Sequence, residues 1–82
     1  MKTPQRWRER NRARAMPLLT WMARKYNGPF TAQMVAERGG LPAWYADLLM
    51  ELLARYGYLR RDGAEYGAYR VTSAGRREAE GR

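Results

Sequence analysis

Eighty-two residues make one small domain, and a chain of this size buries only ~60% of the surface its unfolded form exposes. With no Cys and no His, disulfides, thiolate chemistry, Cys/His zinc sites and imidazole acid–base catalysis are excluded, and neither a metal nor a cofactor is expected. Sixteen Lys and Arg against eight Asp and Glu leave +8, which favours a polyanionic partner.

The excess charge is uneven along the chain. Residues 1–14 carry Lys2, Arg6, Arg8, Arg10, Arg12 and Arg14 against Glu9 alone, a net +5, whereas residues 27–59 are net −1. Thr3-Pro4 has the chemistry of a helix start, with Thr3 as N-cap and Pro4 at the first helical position. The arginines that follow recur at every second residue, so on a helix they fall on alternate sides and leave no dry face except around Trp7. Residues 1–16 are therefore read as an Arg-rich N-terminal arm, helical at most in part, and residues 17–82 as the folded domain. Pro17 ends or kinks whatever precedes it. From there Leu18, Met22 and Tyr26 repeat at i, i+4 and i+8, with Leu19 and Ala23 widening the stripe, which predicts a core helix ended by Asn27-Gly28-Pro29. The longest run without a charged residue, Tyr26 to Ala36, is eleven residues, short of the ~18 that a membrane span needs. No apolar stretch follows the basic start as in a secretory signal, so a cytoplasmic protein without a membrane partner is expected.

Thr31 can cap a second helix over 32–38, with Val35 and Ala36 facing inward, and Gly39-Gly40 stops it. Leu41-Pro42 leads into a third helix from about 43 to Gly57, and the spacing of helices two and three fits a helix-turn-helix. Tyr58–Arg61 and Ala68–Thr72 are β-prone segments punctuated by Asp62-Gly63 and Gly67, which predicts a hairpin with a long, mobile tip. Ser73 caps a last short helix that runs to about Glu80. The fold class is mainly α with a small β-hairpin, and the predicted core is Leu18, Met22, Val35, Leu41, Leu49, Leu53, Leu59 and Val71.

Helix, helix-turn-helix, hairpin, helix is the element order of a winged helix. The string Leu49 … Leu53 … Gly57-Tyr58-Leu59-Arg60-Arg61, followed by Tyr69-Arg70-Val71-Thr72-Ser73-Ala74-Gly75-Arg76, closely resembles the winged helix-turn-helix of MarR- and PadR-type transcriptional regulators over about residues 17–80. The resemblance implies that Leu53, four residues before the glycine, packs the recognition helix, and that the Tyr69 to Gly75 string closes the wing and opens the next helix. It also implies phosphate contact by Arg60, Arg61 and Arg70 on the wing. The plainer reading of these three is exposed strand arginines that protect a sheet edge. Regulators of this kind typically dimerise through additional helices, and little chain follows residue 80 to supply one.

With Gly57 as anchor, the inward positions of helix three are Ala46, Leu49, Met50 and Leu53, an i, i+3, i+4, i+7 set. The positions that the resemblance aims at a major groove are Trp44, Tyr45, Leu48 and Leu52. Groove-reading sites usually carry side chains that hydrogen-bond base edges, and these four are apolar or aromatic, flanked by Asp47 and Glu51. Three readings follow: a wide core arc, an exposed patch that docks a protein or a second copy of the chain, or direct contact with thymine methyls or unstacked bases. Arg6, Arg8, Arg10, Arg12 and Arg14 form an arm suited to phosphates, with Trp7 available to stack on a base or on the domain, the alternative being a solvated tail.

Asp47 and Glu51 at i, i+4 are the one constellation that hints at acid–base work, and they have no metal-ligand partners, so no enzyme is expected. Gly39-Gly40 is a turn, since neither phosphate-loop spacing follows it. The residues thus point to a non-enzymatic winged-helix protein that binds nucleic acid. The leading form is a regulator of bacterial, plasmid or phage type on double-stranded DNA. The alternatives are a protein-interaction module docking through the apolar face of helix three, for example a phage-encoded modifier of a host protein, and an RNA-binding winged helix.

Overall fold

The computed structural model describes residues 3–25 and 28–81, with side chains from residue 9 onward. Four helices and three short strands follow in the order α1 (Thr3–Lys25), β1 (Phe30–Thr31), α2 (Ala32–Gly39), α3 (Ala43–Arg55), β2 (Leu59–Arg61), β3 (Ala68–Val71) and α4 (Ser73–Glu80).

The main departure from the sequence reading is at the start. There is no separate arm ended by Pro17: α1 is one helix from Thr3 to Lys25 with Pro17 inside it. The boundary drawn between residues 16 and 17 falls within this helix. An interior proline costs about 3 kcal/mol through a lost hydrogen bond and a clash with the carbonyl four residues back. Here both Pro17 and Ala13 lie on the exposed side, where water can satisfy that carbonyl. Ala15, Met16, Leu18, Leu19 and Met22, on either side of Pro17, are all buried and hold the helix through it. The cap proposed at Thr3 lies outside the described side chains.

The helix-turn-helix is built by local chemistry. The Met34 N–H donates to Thr31 Oγ1 at 3.2 Å, which opens α2, and Gly40 ends it with φ 67°, a left-handed conformation that glycine adopts without strain. Pro42 stands at the N-cap of α3, and the helix ends at Arg55 with Tyr56 as its C-cap and Gly57 next at φ 84°, the terminal glycine that the sequence predicts. The inward stripe Ala46, Leu49, Met50 and Leu53 is fully buried.

The sheet is antiparallel in the order β1-β3-β2, with Phe30 opposite Tyr69 and Leu59 opposite Val71. The sequence reading missed β1, because two residues carry no alternation to detect. Leu18, Met22, Val35, Leu49, Leu53 and Leu59 are buried as predicted, whereas Leu41 and Val71 are half-buried against the core. Phe30 and Tyr69 add two buried rings.

Thr72, rather than Ser73, caps α4: its Oγ1 accepts the Gly75 N–H at 3.0 Å and donates to the Gly57 carbonyl at 2.6 Å. The Thr72 N–H also donates to the Tyr58 carbonyl at 3.0 Å. A Cβ at Gly75 would collide with that carbonyl oxygen, so only glycine lets α4 approach so closely. Thr72 and Gly75 thus have physical reasons to stand three residues apart.

Candidate nucleic-acid interface

The basic half of α1 is laid against the rest of the molecule. Asn11 is 2% exposed, and its Oδ1 accepts a hydrogen bond from the Tyr45 hydroxyl of α3 at 2.9 Å. Asn11 Nδ2 is buried without a partner, which costs about 1–3 kcal/mol. On either side of Asn11 and Ala15 the arginines serve different ends. The Arg12 guanidinium lies over the Tyr56 ring at 5.1 Å and pairs with Glu78 of α4 at 3.7 Å. Arg14 lies over the Tyr45 ring at 5.9 Å, and Arg10 is exposed. Arg6 and Arg8 sit on the helical backbone of α1, with side chains outside the described residues.

This placement divides the four candidate residues of α3. Trp44 is 71% exposed and tilts against Tyr45 at 5.5 Å. Tyr45, Leu48 and Leu52 are half-buried. Leu48 and Leu52 line a depression of about 230 Å³ with Asn11, Glu51 and Arg55. The apolar arc of α3 is therefore wide because it faces two things, the core on one side and the N-terminal half of α1 on the other. Sequence reasoning had no means of finding Asn11, a polar residue in an arginine run whose burial depends on an element 34 positions away.

The wing presents its arginines unequally. Arg60 and Arg70 stand opposite each other in the β2–β3 ladder, and Arg61 stands opposite Tyr69, with its guanidinium 5.4 Å from the ring centre. Arg70 is engaged within the wing, donating from Nε to Asp62 Oδ1 at 2.5 Å. The other Asp62 oxygen accepts the N–H groups of Ala64 and Glu65 at 3.1 and 2.7 Å. The tip is as long as expected, and it is pinned by this one carboxylate. The Arg70 hydrogen bond, followed by that of the Glu65 N–H, holds the Asp62 carboxyl below its ordinary pKa. Tyr69 shifts the other way: burial raises its pKa, and Asp47 and Glu51 add to the rise while Arg61 opposes it. Tyr66 stands fully exposed on the tip.

One cation that the sequence reading passed over belongs with these. Arg38, at the end of α2, is exposed and lies over the Trp21 ring at 5.8 Å. Among the described residues no carboxylate pairs with Arg10, Arg14, Arg38, Arg60 or Arg61. The signal for Arg38 in the sequence was slight: a basic residue in the last turn of a helix is ordinary dipole compensation.

No protein-family model and no curated protein matches this sequence. Among solved structures, the chain is similar to the crystal structure of an IclR family transcriptional regulator from Brucella abortus, with a TM-score of 0.69 and 28% sequence identity. The fold is a winged helix. The likeness covers 87% of this chain and 26% of the regulator, so the chain spans about a quarter of that protein's length. The similar structure is of the IclR family, rather than of the MarR or PadR type that the sequence string resembles. No described helix is long and apolar enough to cross a membrane.

Proposed function

We propose that this chain is a non-enzymatic, DNA-binding winged-helix module of transcriptional-regulator type that acts on double-stranded DNA in the cytoplasm, in a bacterial, plasmid or phage setting. The observation that carries this reading is the likeness to a transcriptional regulator over 87% of the chain. Exposed arginines that have no carboxylate partner among the described residues, Arg10, Arg14, Arg38, Arg60 and Arg61 among them, supply the electrostatic means. In this reading Arg10 and Arg14, on the same helix as Arg6 and Arg8, and Arg60 and Arg61 on the wing hold phosphates. Arg12 and Arg70 contribute less, since each already has a carboxylate. Of the four candidate residues of α3, Trp44 is the exposed one and the one available for base or sugar contact.

Binding of this kind is dominated by counterion release, with log K falling by about 0.9 per neutralised phosphate for each decade of salt. Fluorescence anisotropy on a labelled duplex across a salt series tests it. The slope should flatten by about 0.9 for each phosphate that Arg10→Gln/Arg14→Gln or Arg60→Gln/Arg61→Gln leaves unneutralised. Absence of duplex binding at low salt, or slopes indifferent to both pairs, would overturn the reading, and a preference for RNA of the same length would favour the RNA-binding form.

A second reading, docking of a protein or a second copy of the chain, draws on the exposure of Trp44. Sedimentation of the wild type against Trp44→Ser tests it, because loss of an association in the variant would identify Trp44 as the anchor.

A further inference from the structure

Between α1, the end of α2 and the turn that leads into α3 lies an open surface cavity of about 420 Å³, lined by Arg14, Pro17, Leu18, Arg38, Gly39 and Leu41, of which Arg14, Pro17, Arg38 and Gly39 are exposed. That volume is enough for a small organic molecule; a second hollow of about 330 Å³, beside Arg24 and Arg76, has Glu80 in its lining and so carries its own counter-charge. The apolar lining of the larger cavity comes from the exposed Pro17, the buried Leu18 and the half-buried Leu41, and Gly39 contributes no side chain to fill it. A Cβ at Gly39 would meet Leu41 Cδ1 at 3.2 Å and Leu18 Cδ2 at 3.3 Å, crowding the two leucines of that lining. Two guanidinium groups flank the cavity. Each rests on an aromatic ring, Arg14 on Tyr45 and Arg38 on Trp21, and neither has a carboxylate partner among the described residues. Two like charges brought to one partly apolar cavity, with no carboxylate paired to either among the described residues, are complementary to an anion.

We propose that this cavity binds an amphipathic organic anion: a sulfonate, carboxylate or phosphate monoester carried on an apolar body. The head group sits between Arg14 and Arg38, whose planar forks bind oxyanions in bidentate fashion. The body lies on Pro17, Leu18 and Leu41. A bare oxyanion leaves most of the cavity empty, and a neutral apolar molecule leaves both charges unanswered. The site abuts the α2–α3 turn, so an occupant rests on the helix-turn-helix itself. The inference does not depend on DNA binding, and its test needs none.

Three probes separate the contributions of head and body: 2-naphthalenesulfonate, methanesulfonate, which has the head without the body, and 2-naphthalenesulfonamide, which has the body without the charge. Each is titrated into the full chain and followed by amide chemical shifts. The naphthalenesulfonate should bind saturably at one site, moving the amides of Leu18, Gly39, Gly40 and Leu41, and the other two should bind at least tenfold more weakly. Arg14→Gln/Arg38→Gln should weaken it at least tenfold with the unfolding midpoint retained. The charge-matched Arg24→Gln/Arg77→Gln, altered at exposed positions outside the cavity, should bind as the wild type does. Should the glutamine pair fail to fold, Arg14→Lys/Arg38→Lys is read instead, with a loss of at least threefold expected because the charge stays and the fork goes. Equal binding of methanesulfonate would reduce the site to a bare anion contact and overturn the proposal. So would equal binding of the sulfonamide, shifts centred elsewhere, or equal weakening in the charge-matched control.

Discussion

The two sides of α3 are both apolar, and they do different work. On the inward side Ala46, Leu49, Met50 and Leu53 have no exposure and pack into the core shared with α1 and α2. On the other side Trp44 is open to solvent, while Tyr45, Leu48 and Leu52 are partly covered by an arginine-rich stretch of α1. That cover is polar: a tyrosine hydroxyl on an asparagine, guanidinium groups on aromatic rings, and an amide donor left without a partner. A core of interlocking apolar side chains tolerates little change, whereas a polar, half-wet contact between two helices is weaker and open to rearrangement. Apolar composition alone therefore does not say which side of a helix carries the fold.

Leu53→Ala puts the largest strain on this contrast. It should cost about 2–5 kcal/mol in denaturant unfolding, because it removes a fully buried side chain; a loss below about 1 kcal/mol would mean that the inward side is no better packed than the outward one. Next comes Tyr45→Phe, which leaves the buried amide of Asn11 without its partner and should cost about 1–3 kcal/mol. Adding Asn11→Leu should recover most of that loss, since both polar groups then leave together. If the double variant is as unstable as the single one, the contact between α1 and α3 is held by something other than this pair. Trp44→Ser should change stability by no more than about 0.5 kcal/mol, as befits a residue 71% exposed, and any larger loss in thermal unfolding would move Trp44 into the core.

The smallest effect concerns the acidic flank of α3. Burial, reinforced by Asp47 and Glu51, raises the Tyr69 phenol above its ordinary value of 10.0. The folded chain therefore keeps the phenol proton where the unfolded chain releases it. The resulting stability is whole below pH 10.0 and is lost as pH rises through the folded value. In Asp47→Asn/Glu51→Gln the folded value should move down toward the ordinary one, while burial keeps part of the rise. Carbon-13 titration of the tyrosine rings follows this directly, and an unmoved Tyr69 would remove the two carboxylates from its surroundings.

The legible part of the fold was the part written in short spacings. Thr31 and Gly40 bracket α2 through contacts within a few residues, and the i, i+3, i+4, i+7 stripe of α3 names its buried side without help from any other element. The hairpin and the last helix were equally readable, with the cap displaced by one residue from Ser73 to Thr72. The start of the chain was misread for a physical reason. A helix whose arginines alternate around it shows no dry stripe until a partner chooses one, and the stripe chosen here runs through Asn11 and Ala15.

Of the candidate site, residue types were visible and their availability was not. Arg60 and Arg61 stand without carboxylate partners among the described residues, but nothing local foretold that Arg12 would be tied to Glu78 or that Arg38 would flank one cavity with Arg14. By itself the sequence determined the net charge, the absence of cysteine and histidine chemistry, the helix-turn-helix with its hairpin, and the inward side of α3. These follow from composition and from interactions closed within one or two helical turns or one hairpin. Only the tertiary structure decided that the basic segment continues α1 and lies along α3, which arginines keep their charge free, and that Phe30 pairs with Tyr69 in a third strand. Those outcomes depend on which distant side chains exclude water from one another, and no spacing within a segment carries that information.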